Sequence, residues 1–127
     1  MATANLLSLP HFWIMLIGIV LLAIAITVVV IHKPKEWFLF HKLFAVAGII
    51  FTLIGVLVLI GLKLFLIHAI FGLIVFIWLI VEIIGGYVAF KKKDQNMRKM
   101  HIWMGRLVFL FALLVLIFGL LTFIYLF

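Results

Sequence analysis

The chain has 127 residues, 71% of them hydrophobic and 10% charged, with a formal net charge of +7 and no cysteine. Too little polar surface is available to cover a water-soluble globule, so the composition implies an integral membrane protein. Disulfides and thiolate-held metal clusters are excluded outright.

Charge-free runs cover residues 12–31, 43–62, 64–81 and 107–127. Each is close to the roughly 20 residues that cross about 30 Å of hydrocarbon. Predicted helices occupy 10–32, 36–61, 64–90 and 97–126, which makes 1–127 one domain with no room for an extramembrane catalytic unit. The first run is too long, and too poor in a preceding basic region, for a cleaved signal peptide. Ser8 and Pro10 mark the start of the first helix, and Lys33-Pro34 marks its stop. The short Gly61-Leu62-Lys63 connection folds the second and third helices into an antiparallel hairpin, and Asp94 to Asn96 supply a cap for the fourth. Because every backbone amide in the bilayer must be satisfied internally, the expected fold class is an all-α, four-helix up-and-down bundle.

Nine of the ten basic residues fall in or beside the first and third connections: Lys33, Lys35, Lys42, Lys91, Lys92, Lys93, Arg98, Lys99 and Arg106. Only Lys63 lies at the other end. The positive-inside rule therefore puts those connections in the cytoplasm and both chain ends outside, in a plasma or inner membrane. The positive charge reports topology and contact with the lipid bilayer, and needs no nucleic acid. Trp13 and Tyr125 on the outer side, with Trp37, Tyr87 and Trp103 on the inner, fit interfacial belts.

His11, His41, His68 and His101 each lie near the start of a different span. Histidine in hydrocarbon is costly, and four at equivalent positions suggest axial ligands for two haems. Without cysteine these would be b-type, held by imidazole alone. Helices one and three run in the same direction, which pairs His11 with His68 at the outer level and His41 with His101 at the inner level. The levels should lie roughly 20–25 Å apart at 1.5 Å rise per residue. A flat macrocycle also needs small residues around it. Gly72 and Gly105 lie one turn beyond His68 and His101, and Gly18 and Gly48 lie two turns beyond His11 and His41. Gly86 and Gly119 return to the ligand face after five turns, at the level of the other haem, and Gly55 does so about 40° off phase. For any one glycine, helix packing is an equally good reading.

The stretches WFLFHKLFAVAG (37–48), HAIFG (68–72) and HIWMG (101–105), with LPHFWIMLIG (9–18) as a looser counterpart, resemble the transmembrane cytochrome b561 family. The resemblance covers nearly the whole chain. It implies two bis-histidine haem b groups, ligated by helices one with three and two with four. Typical members have six helices where this chain has only the four-helix core. No counterpart of the family's ascorbate-associated segments is present.

Two imidazoles filling both axial positions favour outer-sphere electron transfer. The expected function is electron transport across the membrane between a donor and an acceptor that the sequence does not identify. A haem-bearing anchor subunit of a larger oxidoreductase is an alternative, and a homo-oligomer is compatible with either. A small proton-coupled transporter using Glu82 is a third reading.

Glu82 and Arg106 both lie about 13 Å deep from the inner end, where they could form a structural ion pair, or Arg106 could snorkel. Alternatively Glu82, fourteen residues after His68, faces the inner haem and tunes it or carries a proton. His32 reads as an interface residue, or as a substitute for His41 or a partner for a propionate. Lys63 is a loop cation or a partner for the outer propionate. The cluster Lys91 to Lys93 with Arg98 and Lys99 is a solvated loop or a dock for an anionic donor.

Overall fold

The computed structural model describes residues 9–60 and 67–126. Four helices follow in order: α1 (Pro10–Ile31), α2 (Trp37–Ile60), α3 (Ile67–Lys92) and α4 (Gln95–Leu126). All four are long and apolar enough to cross a membrane, which fits a multi-pass integral membrane protein. The expected all-α bundle and its helix order stand, with boundaries inside the described residues differing by at most two positions. Ser8 and residues 61–66, which include Gly61 to Lys63 and the expected start of the third helix, lie outside the described residues.

Local chemistry sets the helix ends. Pro10 occupies the first turn of α1, where its missing N–H costs nothing, and His32 closes the helix in the left-handed conformation at φ 52°. The His32 ring then rests edge-on against Trp37, centroids 4.7 Å apart, so this exposed histidine sits in the α1–α2 connection. At the α3–α4 connection Lys93 takes a positive φ of 54°. Asp94 next caps α4: its Oδ1 accepts from the backbone N–H of Asn96 at 2.8 Å and of Met97 at 3.2 Å.

Each helix lies mainly against its neighbour in sequence. α1 packs closely along α2 and α3 along α4, whereas α2–α3 and α1–α4 contacts are sparser and the diagonal pairs barely approach. The bundle is thus two hairpins facing across a central seam. Val108, Val75, Leu79, Ala112 and Leu22 form an apolar plug midway along that seam, joined by Ile49 and Trp78. Most other large aliphatic side chains are exposed, as expected of a surface covered by lipid rather than water.

The two helices of each hairpin are related position by position. In the first, residues thirty apart correspond: His11 with His41, Gly18 with Gly48, and Ala25 with Gly55. In the second the offset is thirty-three: His68, Gly72, Val75, Leu79 and Gly86 match His101, Gly105, Val108, Ala112 and Gly119. Each hairpin therefore carries an internal two-fold relation that exchanges the two ends of the bundle.

Candidate functional site

Four half-buried imidazoles meet as two pairs across the diagonals of the bundle. His11 of α1 faces His68 of α3 with ring centroids 6.3 Å apart and planes at 82°. His41 of α2 faces His101 of α4, again at 6.3 Å, with planes at 74°. The first pair lies at the end where α1 begins; the second lies at the basic end, beside the two connections rich in lysine. A direct N–H···N bond of about 2.9 Å would bring two such centroids to roughly 5.1 Å. Two metal–imidazole bonds of about 2.0–2.1 Å, with about 1.1 Å from each nitrogen to its ring centre, place them near 6.3 Å.

The second nitrogen of each ring has an acceptor nearby on the adjacent helix, and these acceptors obey one rule. His11 Nδ1 donates to the Gly55 carbonyl at 2.8 Å, and His41 Nδ1 donates to the Ala25 carbonyl at 3.0 Å. His101 Nδ1 lies 3.0 Å from Glu82 Oε2. The Val115 carbonyl lies beside the His68 ring. Ala25, Gly55, Glu82 and Val115 each follow their own helix's histidine by fourteen residues. Fourteen residues also set the two levels about 21 Å apart. In His11 and His41, where Nδ1 bonds a carbonyl, Nε2 is the ring nitrogen that remains for another partner.

The second hairpin is less completely satisfied than the first. Neither His68 Nδ1 nor the His101–Glu82 contact has the alignment of a straight hydrogen bond, despite the short separation of the latter. Glu82 is inserted well into the bundle, its side chain 13% exposed, with the Trp78 indole beside its carboxyl group. It does not meet Arg106, the ion-pair partner that depth alone suggested. The Arg106 guanidinium instead lies over the exposed Trp103 ring at 5.5 Å, on the outside of the bundle.

The glycines divide into three roles. A Cβ on Gly86 would lie 2.7 Å from His101 Cε1, and one on Gly119 would lie 2.5 Å from His68 Cε1, so these two make room for imidazole rings. Gly18 and Gly48 face one another instead, a Cβ on either meeting the other's carbonyl oxygen at 3.1 Å, and they bring α1 and α2 into backbone contact. Gly55 accommodates Met15. The space beside Gly72 and Gly105 is more open, with Val115 at 3.8 Å and Glu82 at 3.7 Å as their respective neighbours.

A cavity of about 200 Å³ opens around the first imidazole pair. His11, His68, Met15, Phe76, Ala112 and Gly119 are among its lining residues, and nearly all of the lining is apolar. A concave, mostly apolar site with two imidazoles in its wall suits a flat apolar group. Among the described residues no cluster of three or more histidine or acidic side chains could hold a bare metal ion. Imidazoles in opposed pairs are the complement of a metal whose other ligands come from a planar macrocycle.

Comparisons with protein-family models, with curated proteins and with solved structures give no match.

Proposed function

We propose that this protein is a di-haem b-type cytochrome that carries electrons across the membrane. The observation that carries the reading is the repeated 6.3 Å spacing of opposed imidazoles, His11 with His68 and His41 with His101. Rings at that spacing are farther apart than a direct nitrogen-to-nitrogen hydrogen bond would hold them, and the spacing is compatible with a metal between them. The resemblance to the cytochrome b561 core predicts the same two pairs. When bound, the two haems supply reversible one-electron chemistry at iron.

The chain's own residues would do the rest. His11 with His68, and His41 with His101, would each hold one haem, whose chemistry would then be electron transfer rather than binding of oxygen or substrate. The carbonyls of Gly55 and Ala25 fix the tautomer and ring angle of His11 and His41. Gly86 and Gly119 admit the His101 and His68 rings. The plug around Val108 would fill the space between the two levels with apolar side chains. By the positive-inside rule the end bearing His41 and His101 faces the cytoplasm and both chain ends face outward. The donor and acceptor are one-electron partners at the two faces, whether soluble, lipid-dissolved or subunits of a larger complex. The Glu82 transporter reading is weaker, because the carboxyl group is held against His101 rather than presented to an open pathway.

Vesicles containing the purified protein, with ferricyanide trapped inside and an impermeant reductant outside, test the reading. Reduction of the trapped oxidant is expected with the intact chain and is expected to fall to the protein-free rate in both His68→Ala and His41→Ala. Equal rates in the intact chain and both variants would refute transmembrane transfer through the two pairs.

A further inference from the structure

The second hairpin relates each residue of α3 between positions 68 and 86 to one of α4 thirty-three positions later. Histidine, the glycine one turn on, the valine of the plug and the ring-accommodating glycine are all retained across the relation. Among the positions that differ, Leu79 and Ala112 in the plug are both apolar, whereas the differences at and beside Glu82 are polar. Glu82 corresponds to Val115, and Trp78, whose indole lies beside the Glu82 carboxyl group, corresponds to Phe111. The break falls at the same place in both sites. Glu82 Oε2 comes within 3.0 Å of His101 Nδ1, whereas at the other site the Val115 side chain has no oxygen and only its carbonyl lies beside the His68 ring; neither Nδ1 has an aligned hydrogen bond.

Gly105 faces Glu82 at 3.7 Å and Gly72 faces Val115 at 3.8 Å, so the two side chains stand opposite equivalent glycines. The rings lie at the same separation from their diagonal partners. An ionisable side chain inside a membrane span is expensive and is seldom kept without a role. The one placed here contacts a single imidazole of the four.

We propose that Glu82 is a positioning residue that makes the two redox sites unequal, giving the site of His41 and His101 the lower midpoint potential and so directing electrons from the basic end to the opposite end. The inference rests on the di-haem reading. A carboxyl oxygen against Nδ1 orients the imidazole and raises its basicity, and a more basic axial ligand favours the oxidised metal over the reduced one. Val115 has no such oxygen in its side chain. An electron from a one-electron donor at the basic end therefore moves to the higher-potential site near the chain ends, and leaves to a one-electron acceptor there.

Redox titration of the full-length chain with both haems bound, followed by absorbance, tests this in the intact protein, in Glu82→Gln and in Val115→Glu. In Glu82→Gln two haems are expected to remain, with the lower midpoint raised by the equivalent of at least a tenfold change in the one-electron equilibrium, about 59 mV, and the upper one unmoved. In Val115→Glu the upper midpoint is expected to fall. His68→Ala, which keeps only the basic-end site, identifies which midpoint belongs to it, and the lower one is expected. Glu82→Gln with both haems retained and both midpoints unmoved would overturn the role of Glu82 and leave the di-haem reading intact. A shift of both midpoints together would also overturn it. An intact chain that binds no haem would instead remove the reading beneath it.

Discussion

The two hairpins place histidines at equivalent heights but use glycine in opposite ways. In α1–α2, Gly18 and Gly48 sit seven residues beyond their histidines, midway between the two levels, and let the backbones touch. In α3–α4, Gly86 and Gly119 sit eighteen residues beyond theirs and give space to the neighbouring helix's imidazole. The first hairpin is a rigid wall with both Nδ1 groups bonded to carbonyls. Across the seam, the second presents more loosely held rings and the one carboxyl group that reaches an imidazole. A side chain added to the first hairpin should therefore disturb both sites together, whereas one added to the second should disturb a single site.

The largest effects are expected where glycine meets a ring. Gly119→Val should displace His68 and lower haem content from about two to about one per chain, with the His41–His101 site retained. Gly86→Val should do the reverse. Haemochrome assay and redox titration of each variant distinguish the two, and loss of both haems from either would erase the contrast between the hairpins.

A middle-sized effect is expected at the α1–α2 crossing. A Cβ on Gly48 would come within 2.8 Å of Leu22, so Gly48→Val must spread the helices, at a cost of about 1–3 kcal/mol typical of overpacking. Thermal unfolding in detergent should show a lower midpoint, with both haem sites weakened alike. Smaller again is the cap of α4, where Asp94→Ala should cost about 1 kcal/mol and leave both spectra unaltered. Smallest of all is Gly72→Ala. Its new methyl group would lie 3.8 Å from Val115, in ordinary contact, so the thermal midpoint of the haem-free chain should stay close to that of the unaltered one.

Much of this was legible in the residues. Hydrophobic run length and Pro10 gave the helices, and the equivalent depth of the four histidines gave the diagonal pairing that the ring geometry repeats. Helical phase put Gly86 and Gly119 at the level of the other histidine pair, and their closest neighbours there are imidazole rings. The partner of Glu82 did not follow. Depth alone suggested Arg106, but depth says nothing of azimuth. Arg106 lies five residues beyond His101, about 140° away around the helix, and so faces outward. Gly18 and Gly48 were equally ambiguous, since a phase that faces the bundle interior does not distinguish a ring from a neighbouring backbone. The missed signal was the correspondence at offsets of thirty and thirty-three. Read with the fourteen-residue step, it picks out Ala25, Gly55, Glu82 and Val115 as the positions opposite the rings.

The quantity closest to the central claim is the number of haems held per chain. Protein produced with haem in excess, purified, and assayed for haem b and iron against protein concentration should contain two of each per chain, with His11→Ala and His41→Ala each containing one. A folded, helical and colourless preparation, or one whose haem content is the same after either substitution, would contradict it.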